Sequence, residues 1–114
     1  MDIIQPDICA AGGFTECVKI AAMADAFGVR CIPHVWGTSV ALAASVHWLA
    51  AIPRMQMSMN PYEPLLELDC TEHPIRDALL PPHLTPKNGK LDLPSGPGLG
   101  IEIDTEAIEA FACA

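Results

Sequence analysis

The chain has 114 residues, 51% of them hydrophobic, which is enough for one small apolar core and too apolar for a disordered chain. Its 14 acids against 6 bases give a net charge of −8, and with no cluster of Lys or Arg such a surface repels phosphate backbones, so nucleic acid is excluded as a partner. The longest apolar run, SVALAASVHWLAAI at 39–52, is shorter than the roughly 20 residues a membrane span needs and is interrupted by His47.

Residues 2–9, DIIQPDIC, read as a buried strand that ends near Pro6, a residue awkward inside a ladder. The opening MDIIQPDIC carries no basic segment, so no signal peptide is expected. The five cysteines, at 9, 17, 31, 70 and 113, form no CxxC pair, which points to reduced thiols in a cytoplasmic protein. From Phe14 to Phe27 the apolar Val18, Ile20, Ala21, Ala24 and Phe27 recur at helical spacing, and Gly28 follows as a C-terminal stop. A second short strand is expected over 29–34, VRCIPH. A second helix, capped by Thr38 or Ser39, should then run to about Ile52, before Pro53.

The segment 53–64 reads as irregular, with Met55, Met57 and Met59 as a soft apolar patch, and LLELD at 65–69 as a third strand. Residues 71–100 are rich in proline and glycine, with an Asn88-Gly89 turn between short extended pieces. Another extended stretch, GLGIEID, leads to Asp104 as the cap of a last helix, Thr105 to about Ala112. The order β-α-β-α-β suits parallel neighbours and an α/β fold. Three strands and two helices leave edges uncovered. The chain is therefore either a small self-contained α/β unit or the last part of a (β/α)8 barrel, and the first strand beginning at residue 2 favours the barrel.

In parallel α/β folds ligands meet the carboxyl ends of the strands. Asp7, His34 and Glu67 are the ionisable residues expected there. A histidine titrates near neutrality and suits proton transfer, and a neighbouring aspartate would fix its tautomer and raise its basicity. Each residue alone also fits a structural role: a satisfied imidazole, a turn-capping carboxylate, a solvated glutamate. Gly12-Gly13 belong to no GxGxxG and read as a tight turn. Gly96, Gly98 and Gly100 look loop-like. His47 is expected to be packed in its helix, and His73 and His83 lack the spacing of metal ligands.

The run DIIQPDICAAGGFTECVKIAAMADAFGVRCIPHVWG, followed by LLELD and LPSGPGLGIEID, resembles the C-terminal end of the enolase superfamily, in its mandelate racemase/muconate lactonising branch. PHVWGT before an Ala-rich helix looks most like the galactarolactone cycloisomerases and sugar-acid dehydratases of that branch. The resemblance implies that residues 1–70 are strands six to eight of a TIM (β/α)8 barrel. Residues 71–114 would be the tail that packs on a capping domain. It implies that His34 moves a proton α to a carboxylate and that Asp7 is its dyad partner. Glu67, with Glu63 as the alternative, would hydrogen-bond the enediolate oxygen, and Trp36 would line the substrate pocket.

It further implies a homo-oligomeric enzyme that uses Mg²⁺ on a small sugar acid or lactone. The metal carboxylates and a lysine base would lie on earlier strands, so no metal ligand is expected in these residues. The isolated chain is then expected to be inactive. The alternatives are a racemase or epimerase of the same superfamily and a non-catalytic α/β binding or assembly module.

Overall fold

The computed structural model describes residues 1–52 and 63–113. Pro53 and the methionines Met55, Met57 and Met59 lie outside the described residues. Strand β1 (Ile3–Ile4) is followed by α1 (Gly13–Ala26), β2 (Arg30–Cys31) and α2 (Ser39–Ala51). Then come α3 (Pro74–Leu79), a 3₁₀ turn (Pro82–Leu84) and α4 (Thr105–Ala110). No helix among the described residues is long and apolar enough to cross a membrane.

β1 and β2 are parallel neighbours, with Ile3 opposite Arg30 and Ile4 opposite Cys31. The amide N–H groups of Arg30, Ile32 and His34 donate in turn to the carbonyls of Asp2, Ile4 and Pro6. Pro6 has no N–H to return, so regular pairing stops after Ile4 although the chains stay in register to an isolated bridge between Asp7 and His34. Both regular strands are thus shorter than expected, Ile3–Ile4 and Arg30–Cys31, with the Asp7–His34 bridge beyond them.

The third strand does not form. LLELD at 65–69 enters no ladder among the described residues. Since residues 30, 32 and 34 point their N–H groups at β1, the opposite edge of β2 belongs to Cys31, Pro33 and Val35. Pro33 has no donor to offer there, and the segment is held by side chains instead. Leu66 packs on the core, and Arg30 Nη2 donates to the Glu63 carbonyl at 2.9 Å.

α1 begins one residue earlier than expected, and of the expected apolar positions Ala21 and Ala24 are buried. Cys17, Ala21 and Ala24 face inward, whereas Val18 is 52% and Phe27 81% exposed. The small residues let the helix lie close against α2, which larger side chains at those positions would prevent. Its end is a Schellman turn, in which Val29 N–H donates to the Ala24 carbonyl and Gly28 N–H to that of Asp25. α2 is buried from Ala41 through Val46, as an Ala-rich helix with no charged residue should be, with Val40 near its start and Ala50 and Ala51 at its end exposed. One side joins Ile8, Cys17, Ala21, Ala44 and Trp48; another joins Val35, Leu42, Ala43, Val46 and Leu84. Thr38 stands at the N-cap position of α2, but its side chain makes no capping bond.

The tail is less extended than expected. α3 starts with Pro74 at its first turn, where the lost N–H costs nothing, and His73 Nδ1 accepts from Arg76 N–H at 3.0 Å as its cap. Lys87 and Lys90 exchange backbone bonds around Asn88 (φ 53°) and Gly89 (φ 73°), the expected tight turn. Asp104 caps α4 through Ala107 N–H at 3.0 Å. Leu99 packs against both halves of the core, and two imidazoles hold the chain beside it. His47 Nε2 donates to the Leu99 carbonyl and His83 Nε2 to that of Gly100, each at 3.1 Å.

Candidate active site

Parallel pairing puts the carboxyl ends of both strands on one side, and the register places Asp7 directly beside His34. The Asp7 carboxylate is fixed at both oxygens. Its Oδ1 accepts from Cys9 N–H at 2.7 Å, a local turn closed by the side chain, and its Oδ2 meets His34 Nδ1 at 2.8 Å. An ionised carboxylate can only accept, so Nδ1 carries the proton and the lone pair of the neutral ring sits on Nε2. The His34 side chain is 41% exposed and that of Asp7 20%, which leaves the imidazole accessible and the aspartate partly covered.

Pairing raises the His34 pKa above the ordinary 6.5, chiefly through the hydrogen bond to Asp7 and further through the charges of Glu67 and Asp7, against a smaller opposing effect of burial. The contact therefore stabilises the fold fully below pH 6.5, and that contribution is lost as pH rises through the raised value. For proton abstraction the consequence is reversed: the ring becomes a free base only above its raised pKa, and is then a stronger one.

Glu67 is near enough for its charge to act on His34, and its Oε2 accepts from Gln5 Nε2 at 3.1 Å. The Glu63 backbone carbonyl is bound by Arg30, at the end of β2 away from His34. Trp36, two residues beyond His34, is 65% exposed and is not a core residue. Gln5 was not singled out by the sequence. The signal was there: it stands two residues before Asp7, and period-two alternation puts both on one face of the strand.

The carboxylates present do not fit the magnesium ion that the resemblance implies. Asp7 spends both oxygens as described. Asp69 spends Oδ1 on Thr71 N–H and Oγ1 and Oδ2 on Arg76 Nη1 at 2.7 Å, contacts that hold its carboxyl below the usual range. Among the described residues no group of three or more His, Cys, Asp or Glu side chains is placed to bind a metal. Magnesium demands near-octahedral oxygens held rigidly. Titration calorimetry of the chain with MgCl₂ should accordingly give no binding heat at micromolar concentrations; a micromolar affinity would contradict this account of the donors.

A family model described as enolase C-terminal domain-like matches residues 1–107. The chain is 48% identical over 111 residues to D-galactarolactone cycloisomerase of Agrobacterium fabrum, covering 97% of this chain and 29% of that protein. It is 38% identical to D-galactonate dehydratase of Ralstonia pickettii, with coverages of 91% and 27%. Among solved structures, the 3,6-anhydro-D-galactonate cycloisomerase from Zobellia galactanivorans superposes with a TM-score of 0.81 at 41% identity, over 97% of this chain and 29% of that one. The chain thus spans less than a third of the length of these relatives. The extent of the match and the order of its motifs place the chain in the enolase C-terminal domain-like family.

Proposed function

We propose that this chain is the C-terminal part of a (β/α)8-barrel enzyme that removes the α-proton of a sugar-acid carboxylate or its lactone. Residues 1–70 would supply the end of the barrel, with β1 and β2 as paired strands and 65–69, unpaired in this chain, as the segment in the next strand position, and residues 71–114 the tail against a capping domain. His34 Nε2 takes the proton and the electron pair moves onto the carboxylate to form an enediolate; as the enediolate collapses, the C–O bond at the β-carbon breaks and the imidazolium returns its proton to the departing oxygen, which leaves as water or opens the ring. Asp7 holds the Nδ1 proton and stabilises the imidazolium as it forms. Glu67, whose charge acts on His34 in the resting site, must take up a proton before it donates a hydrogen bond to the enediolate oxygen, and Trp36 lines the pocket. The magnesium ion expected of such an enzyme would be held by carboxylates elsewhere in it, and no step assigned here runs through it. The same reading makes the enzyme a cytoplasmic homo-oligomer with a small-molecule substrate.

The observation that carries this reading is the 2.8 Å contact between His34 Nδ1 and Asp7 Oδ2 at the ends of paired parallel strands. The relatives' names, a cycloisomerase and a dehydratase, favour elimination over racemisation. Asp7→Asn tests the dyad. It replaces the charged acceptor with a neutral amide and so removes most of what raises the imidazole pKa, and the rising limb of the pH–rate profile of the full-length protein should move to lower pH. NMR titration of His34 Cε1–H in this chain should show the same downward shift. An unmoved limb and an unmoved titration would mean that Asp7 does not tune the base.

A further inference from the structure

A general base alone does not make an α-proton removable. The charge that develops on the carboxylate oxygen must meet a donor already in place, and misplacement by about 1 Å can cost a hundredfold in rate. On the reading above that donor is Glu67, a side chain with three rotatable bonds and no ladder beneath it, since 65–69 pairs with neither strand. Asp7 cannot position it, because both Asp7 oxygens are committed to Cys9 and His34. Asp69 and Arg76 hold the chain two residues later but face each other.

What does reach Glu67 is Gln5, whose Nε2 donates to Oε2 at 3.1 Å across 62 positions of sequence. We infer that Gln5 is a positioning residue for the reaction: its amide fixes Oε2 of Glu67, so that Oε1 is the oxygen presented to the substrate. Gln5 and Asp7 share a strand face, so the residue that orients the base and the one that orients the donor are two positions apart on β1 and its continuation. An amide N–H on Oε2 also makes that oxygen an acceptor, which leaves the donated proton to Oε1. The inference rests on the proposed role of Glu67.

The test is a double-mutant cycle in the full-length protein. Gln5→Met keeps the length and most of the volume of the side chain but removes the donor, and should lower kcat by about ten- to a hundredfold with KM within about twofold. Glu67→Gln should lower kcat at least as much, and the double variant should be no slower than Glu67→Gln alone, because Gln5 acts only through Glu67. Gln5→Leu, apolar and without the donor, should match Gln5→Met and covers the case in which methionine disturbs folding. If both Gln5 variants turn over at the parental rate, or if their losses multiply in full with that of Glu67→Gln, the inference is wrong. Glu67→Gln at the parental rate would instead remove Glu67 from the chemistry and overturn the reading beneath it.

Discussion

His34→Asn in the full-length protein should end solvent deuterium exchange at the α-carbon for the epimer that presents its proton to His34. Turnover should fall by about two to four orders of magnitude, the usual contribution of a positioned general base. The substitution is chosen because it separates chemistry from architecture. The asparagine amide can still donate to Asp7 Oδ2, and the backbone bond from residue 34 to the Pro6 carbonyl is untouched, so the strand ends should stay together. What disappears is Nε2, the one ring nitrogen not engaged with Asp7. If the enzyme carries a second base on the opposite face of the substrate, exchange of the other epimer should survive. Unchanged exchange of both epimers would make the imidazole a structural residue and remove the proposed mechanism.

That dyad was legible because it depends on rules the sequence carries. Two apolar runs separated by a helix of about 14 residues make parallel neighbours, and an acid ending one and a histidine ending the other then meet. The third strand was misread because its own composition is strand-like. What decides against it lies on its neighbour, where Pro33 removes the donor from the edge that it would have used. The apolar stripe of α1 was legible in part. Ala21 and Ala24 are buried, but Val18 and Phe27, the more apolar side chains, are exposed, and Cys17 and Ala21 pack with Ala44 and Trp48 of α2. α3 was hidden by its setting in a proline-rich segment, although Pro74 at a first helical turn is itself a start signal and only the histidine cap is unusual. Gln5 escaped because a neutral amide draws no attention until its partner, 62 residues away, is known.

Trp48→Ala should be the most damaging substitution outside the site, costing about 3–5 kcal/mol of folding stability. Trp48 is 1% exposed in α2, in one cluster with Ile8, Cys17, Ala21 and Ala44, so truncation would leave a void that small, backbone-fixed neighbours cannot fill. A loss of that size is a large share of the roughly 5–15 kcal/mol by which a domain is held folded. Among the described residues the indole Nε1 has no hydrogen-bond partner, so Trp48→Phe gives up ring volume without breaking a polar contact there and should cost clearly less than Trp48→Ala. Urea unfolding followed by far-ultraviolet circular dichroism, which does not need the tryptophan, would measure both. The effect should also reach the chemistry. Ile8 packs in the Trp48 cluster and is bonded to Asp7 in the chain, so loosening it frees the aspartate that orients His34. Residual activity of Trp48→Ala under folding conditions should therefore show the rising pH limb displaced downward, as in Asp7→Asn but less far. A variant that melts early yet keeps the parental pH profile would mean that the Asp7 turn, closed by Cys9 N–H, holds the dyad without support from the core.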